Sequence, residues 1–153
     1  MLRFTLCTLS AMMLITNAHA GGAFDGFGGR WVGNGSIVMS DSKSEAIKCI
    51  ATYFPSAGGT HLRMNVRCAS PGYKIDAVGN LTEQGAYVFG TFEERNYNSS
   101  GKVSGTAGDG SISAFISGAD WRASLSVTGN GARVILTPIG SVVKRVTITF
   151  HKG

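Results

Sequence analysis

The sequence predicts an all-β protein, a single antiparallel up-and-down β-barrel of about eight to ten short strands with one cross-strand disulfide. Apolar and polar residues alternate in short runs that end at Gly, Asn or Asp, which is typical of sandwiches and barrels. Glycine supplies 22 of the 153 residues, all of them after residue 20, against a usual share of roughly 7%. Only 15% of the residues are charged and 43% are hydrophobic, which excludes a charged disordered chain and a long helical bundle.

The first 20 residues have the three parts of a signal peptide. Arg3 supplies the charged start, residues 4–15 form an apolar run, and Ala18-His19-Ala20 is a small-x-small cleavage site. We therefore expect cleavage after Ala20, a periplasmic or secreted location, and one β-barrel domain over residues 21–153. Residue 21 is glycine and not cysteine, so a lipid anchor is not expected. No second apolar stretch of about 18 residues follows, so no membrane-spanning helix is expected in the mature chain.

Alternation places the strands along the mature chain. In the run that starts at Trp121, the odd-numbered residues are apolar and the even-numbered ones are Arg or Ser, which predicts one packed and one wet face. The wet face carries Ser, Thr, Arg and Lys, which argues against the alternative of an outer-membrane barrel. Connections are short, so consecutive strands should be neighbours and close into a barrel. The predicted strands are 30–39, 46–54, 61–69, 72–79, 85–94, 101–106, 110–117, 120–127, 131–138 and 143–151.

Four glycines, at positions 33, 35, 90 and 105, fall inside predicted strands. A glycine within a strand is typical of places where a small barrel coils tightly. The segment 41–45 has the one local pattern that fits a helical turn, and a loop is the preferred interpretation.

A hairpin turn and two cysteines agree on one strand register. A turn centred on Gly58-Gly59 pairs residues whose numbers sum to 117, which puts Cys49 opposite Cys68. Directly opposed positions can carry a disulfide, and an exported protein lies where disulfides persist. The alternative is a redox or metal pair. The sequence lacks Cys-x-x-Cys, and His61 and His151 have no ligand spacing, so no metal site and no cofactor are expected.

No catalytic motif is present, so the chain is not expected to be an enzyme. The nucleophile elbow, the zinc-protease motif and the phosphate loop are all absent from the sequence. Glu93 and Glu94 are neighbours in a predicted strand and point to opposite faces. We interpret them as a solvated strand end and not as a catalytic pair.

Ligand binding inside the barrel is the better-supported role. Trp31, Tyr53, Tyr73 and Trp121 are the candidate ligand-binding residues, because alternation points them inward. A barrel of about eight strands either holds one small ligand or is filled by its own side chains. The same aromatic residues could form that filled core, and a filled or nearly filled barrel is the preferred interpretation. Without Arg3 the chain has 13 basic and nine acidic residues, a net charge of +4, which slightly favours anionic envelope partners. The basic residues are scattered, so nucleic-acid binding is not expected.

The Gly29-Arg30-Trp31 start resembles that of lipocalin and avidin barrels. The resemblance implies that Trp31 plugs one barrel end against an arginine from a late strand, with Arg145 the first candidate and Arg133 the second. The chain also resembles small exported proteins of alphaproteobacteria that carry no assigned activity. That resemblance rests on the Gly-Arg-Trp start, on residues 47–53 and 62–70, and on Tyr73-x-Ile75-Asp76. It implies a fold and an exported location, and it assigns no site residue.

Two functions remain open. The first is an exported soluble β-barrel that binds a small apolar or amphipathic molecule or a cell-envelope component. The second is a protein-interaction module, either an inhibitor or a host-directed secreted factor, with a filled barrel. A cavity lined by Trp31, Tyr73 and Trp121 would favour the first function. A solid core with an exposed apolar or basic patch would favour the second.

Overall fold

Ten antiparallel strands make up the fold, as the sequence predicts. The computed structural model describes residues 21–108, 111–129 and 131–153; the predicted signal peptide, residues 1–20, lies outside these ranges. Two single-turn 3₁₀ helices, Asp25–Phe27 and Ala57–Gly59, accompany the strands, and no described helix is long and apolar enough to cross a membrane. The strands are β1 (Gly29–Met39), β2 (Ser44–Ser56), β3 (His61–Ala69), β4 (Lys74–Gln84), β5 (Tyr87–Glu94), β6 (Ser99–Gly108), β7 (Ser111–Gly118), β8 (Trp121–Thr128), β9 (Gly131–Pro138) and β10 (Val143–Lys152).

The sheet closes on itself as a barrel. Each strand pairs with its neighbours in the sequence, and β1 pairs with β10 to complete the ring. That last pairing runs from Trp31 opposite Lys152 to Met39 opposite Val143, with an irregularity between Val38 and Met39. Every strand therefore has two hydrogen-bonded partners, and the unpaired edges that make open sheets prone to aggregation are removed.

Within the barrel, alternate residues of each strand form one core. Its side chains come from all ten strands and include Ile37, Leu62, Val88 and Ile148, each at most 6% exposed. The inward face predicted for β8 is confirmed, because Trp121, Ala123 and Val127 are buried. On β10, Val146, Ile148 and Phe150 are buried as well.

The predicted Cys49–Cys68 disulfide is confirmed, with the two Cα atoms 4.0 Å apart. β2 and β3 have the predicted register, with Ala51 opposite Val66 in the next inward-facing pair. The turn differs in detail. The connection has four residues, 57–60, because the Ala57 carbonyl accepts hydrogen bonds from both the backbone N–H and the hydroxyl of Thr60. A four-residue loop and a two-residue loop with the same centre give the same register, so the cysteines still meet.

The largest boundary error lies in β4, which was expected to stop at Gly79 and continues to Gln84. Gly79 lies opposite Met64 of β3. A methyl group at Gly79 would stand 2.9 Å from the Met64 Cγ atom. The glycine therefore makes room for the methionine side chain and does not end the strand.

In-strand glycines also let neighbouring strands approach closely. A methyl group at Gly35 would collide with the backbone carbonyl of Thr147, and one at Gly90 would collide with that of Asn80. Both positions need a residue without a side chain for this strand geometry, which agrees with the predicted tight coiling.

Candidate ligand-binding cavity

The two ends of the barrel are built differently. The meander brings the loops 40–43, 70–73, 95–98, 119–120 and 139–142 together at one end, which we call the mouth. The segment 21–28 lies at the opposite end, which we call the closed end, with the loops 57–60 and 85–86.

The N-terminal segment covers the closed end. The backbone N–H groups of Gly22 and Phe24 donate to the carbonyls of Gly58 and Gly59. These bonds draw Phe24 into the barrel, where its side chain is fully buried. An aromatic plug results, which covers the described part of this end.

Trp31 belongs to this plug. Its indole is 1% exposed, its Nε1 donates to the Phe27 carbonyl at 2.9 Å, and Phe27 stacks on it with centroids 5.6 Å apart. Tyr53 meets the Trp31 ring edge-on at 5.5 Å. Burial raises the pKa of the Tyr53 hydroxyl to about 12, so the tyrosine stays neutral within this apolar cluster.

The arginine that the resemblance implied beside Trp31 is not Arg145. Arg145 lies opposite Val38, near the mouth, and it is exposed. Lys152 takes the position opposite Trp31. Its ammonium donates to the Gly26 carbonyl at 2.8 Å and ties β10 to the plug. The expectation was wrong because it chose an arginine for its charge and did not consider which residue of β10 lies opposite Trp31 in the strand register.

At the mouth a cavity of about 350 Å³ opens into the barrel. Below it lies a second cavity of about 90 Å³ with an almost wholly apolar lining. The two cavities share five lining residues and so follow one another along the barrel interior. The shared residues are Ile75, Phe92, Trp121, Leu136 and Val146.

Trp121 lies at the junction of the two cavities. Gly101 and Gly118 are register partners on β6 and β7, and a methyl group on either would press on the Trp121 indole. The indole therefore lies flat over this glycine pair. Its Nε1 donates to the Ser99 hydroxyl at 2.6 Å, and the Phe92 ring meets it edge-on at 5.7 Å. These contacts hold Trp121 in place, and its side chain lines both cavities.

Two carboxylates hold the mouth loops that carry tyrosines. Glu94 accepts the backbone N–H of Asp76 at 2.9 Å and that of Tyr97 at 2.6 Å. Glu45 accepts the Ser70 hydroxyl at 2.6 Å, which holds the loop that presents Tyr73.

Glu93 and Glu94 point to opposite faces, as predicted, but Glu94 is not a solvated strand end. It is 7% exposed. The error arose because a carboxylate at a strand end can satisfy the backbone donors of the following loop, and such a carboxylate is commonly buried.

The four predicted site residues fall at two places. Tyr73 and Trp121 line the mouth cavity, and Tyr53 lines the deeper cavity from the closed end. Trp31 lines neither cavity and supports the plug. The site prediction omitted two lining residues, Tyr97 and Glu94. Tyr97 lies in a loop, where strand alternation gives no signal. Glu94 has the same parity in β5 as the inward-facing Val88 and Phe92, a signal that could have found it.

Comparison with known proteins finds a similar fold among solved structures. No family model matches the chain, and no curated protein matches it significantly. The chain resembles the crystal structure of Rv2717c from M. tuberculosis, with a TM-score of 0.61 over 82% of this chain and 92% of that one. The two proteins share a fold. At 13% identity the similarity carries no site residue from one protein to the other.

Proposed function

We propose that this protein is an exported β-barrel that binds a small apolar or amphipathic molecule in its mouth cavity. The observation that carries the proposal is the cavity of about 350 Å³, which continues inward to the apolar cavity of about 90 Å³. Small-molecule sites typically measure about 300–1,000 Å³ and combine apolar walls with a few polar groups. Tyr73 and Trp121 would contact the ligand at the mouth, and Tyr53 would limit how deep its tail can go.

Export to the periplasm or beyond the cell is part of this proposal. It is supported by the signal-peptide features of residues 1–20 and by the Cys49–Cys68 disulfide, because disulfides form and persist in oxidising compartments. The role that we assign to the cavity is binding and not catalysis.

Filling the cavity tests the proposal. Val146 lines both cavities, so Val146→Phe adds volume where a ligand would lie. Thr149→Phe adds a ring on the exposed outer face of the same strand and is the matched control. We expect the neutral fluorescent probe N-phenyl-1-naphthylamine to bind the wild type and Thr149→Phe alike, and to bind Val146→Phe at least tenfold more weakly. Equal binding to all three proteins would refute the proposed site.

A protein-interaction role is the second candidate, and the outer wall supports it. Tyr87, Phe89 and Phe115 are 68%, 45% and 65% exposed. Phe89 and Phe115 lie on either side of Ser104 in the sheet register, so they form one exposed apolar patch of the kind that marks interaction sites. If Val146→Phe leaves probe binding unchanged and Phe89→Ser abolishes it, the outer wall is the binding surface and this second role is favoured.

A further inference from the structure

The charge of the mouth is opposite in sign to that of the whole chain. The full sequence carries a net charge of +5, which alone would favour an anionic ligand. Among the described residues, those that line the mouth cavity include two carboxylates, Glu94 and Asp120, and no Lys, Arg or His. An anionic head group would therefore enter without a cationic partner and beside like charges, which is unfavourable in a partly desolvated site.

Two of the basic side chains near the mouth pair with carboxylates that are not part of the cavity lining. Arg95, on the same loop as Tyr97, directs its guanidinium toward Asp76, with Nη1 and Oδ2 3.9 Å apart. Lys43 pairs with Asp41 of its own loop at 2.9 Å. Neither basic residue is part of the cavity lining.

Aromatic side chains also line the mouth. Tyr73, Phe92, Tyr97 and Trp121 all line it, and Phe92 and Trp121 form one edge-on pair. Aromatic rings attract alkylammonium groups through the negative potential of their faces, and this attraction grows when the cation is desolvated. Aromatic rings together with carboxylates at the entrance of an apolar cavity suit a ligand with a cationic head and an apolar tail.

We propose that the ligand is a cationic amphiphile, with an alkylammonium head between the mouth aromatics and carboxylates and an apolar tail directed into the deeper cavity. This inference rests on the proposed function and specifies the class of ligand for the same site. Asp120 is the accessible carboxylate of the pair, since it is exposed, whereas Glu94 is committed to holding the loop that follows it.

The test compares three molecules with the same tail and different heads: decyltrimethylammonium, decanoate and decanol. The two ionic molecules are kept below their micellar concentrations and decanol is kept below its solubility limit. Displacement of N-phenyl-1-naphthylamine gives the three affinities. We expect decyltrimethylammonium to bind about tenfold more tightly than decanol and decanoate to bind most weakly. Asp120→Asn should weaken the cation about threefold and leave decanol unchanged. Glu93→Gln makes the same charge change on the exposed outer face of β5 and should alter neither affinity.

The outcomes separate the two proposals. If decanol or decanoate binds as tightly as the cation, the cavity is a binding site and the inference about charge is overturned. If Asp120→Asn and Glu93→Gln weaken the cation equally, the effect is one of overall protein charge, and the mouth assignment is overturned. If none of the three molecules displaces the probe, the proposed function itself fails.

Discussion

Adding one methyl group beneath Trp121 should disturb the mouth in a measurable way. In Gly118→Ala the new Cβ would lie 2.9 Å from the indole Cδ1 and closer still to Nε1. The indole must therefore leave its place over β6 and β7, and it loses the 2.6 Å hydrogen bond to Ser99. The mouth cavity is the space into which it can turn.

Three contributions set the size of the effect. Overpacking costs about 1–3 kcal/mol, and the lost hydrogen bond costs about 1 kcal/mol. Gly118 has no positive φ, so alanine fits the backbone and lowers the entropy of the unfolded chain, which returns about 0.4–1 kcal/mol. We expect the free energy of unfolding to fall by about 1–3 kcal/mol.

Urea unfolding and tryptophan emission together provide the assay. Trp31 is 1% exposed at the closed end and serves as a constant background, so a red shift in the emission of the folded protein reports Trp121 alone. Gly108→Ala is the control, because a methyl group there meets no atom within 4 Å. If Gly118→Ala matches this control in both urea midpoint and emission, the described position of the indole is wrong.

Three further predictions follow from the barrel interior. Replacing Cys49 and Cys68 by alanine removes a cross-link over 19 positions and should lower the unfolding free energy by about 3 kcal/mol, measured in urea with and without reductant. The folded-state pKa of Tyr53 is about 12, above its ordinary value of 10. The free energy of unfolding should therefore be unchanged below pH 10 and fall by about 3 kcal/mol as the pH rises toward 12. Tyr53→Phe should not show this loss. Glu94→Gln should lower the unfolding free energy, measured in urea, by about 1–3 kcal/mol, since an amide leaves one of two partly buried backbone donors without an acceptor. A smaller loss for Glu94→Gln than for the less buried Glu45→Gln would contradict this.

Much of the fold could be predicted because side-chain parity and turn position are local properties. Alternation predicts which residues of a strand face inward, and the Gly58-Gly59 centre then pairs Cys49 with Cys68. The structure agrees on both points. Glycine misled the prediction where it accommodates a neighbouring side chain, as Gly79 does for Met64, because a sequence does not show what lies across the sheet.

The candidate site was harder to predict. Alternation along a strand tells whether a residue faces the interior, but it does not tell where along the barrel axis the residue lies. Trp31 and Trp121 both point inward, yet one belongs to the plug and the other lines the cavity. The strand order of a meander does contain this information. Trp31 lies near the start of the first strand and Trp121 at the start of the eighth, and odd- and even-numbered strands start at opposite ends of the barrel. The segment 21–28 has no periodicity, and tertiary contacts alone fix Phe24 inside the barrel.

Gly153 and the segment 21–28 lie at the same end of the barrel, opposite the mouth. The Gly153 N–H donates to the Arg30 carbonyl at 2.9 Å, so Gly153 lies beside the first strand at the closed end, where the segment 21–28 also lies. A tag, surface linker or fused domain attached at Gly153 would consequently be joined to the closed end and would leave the mouth unobstructed.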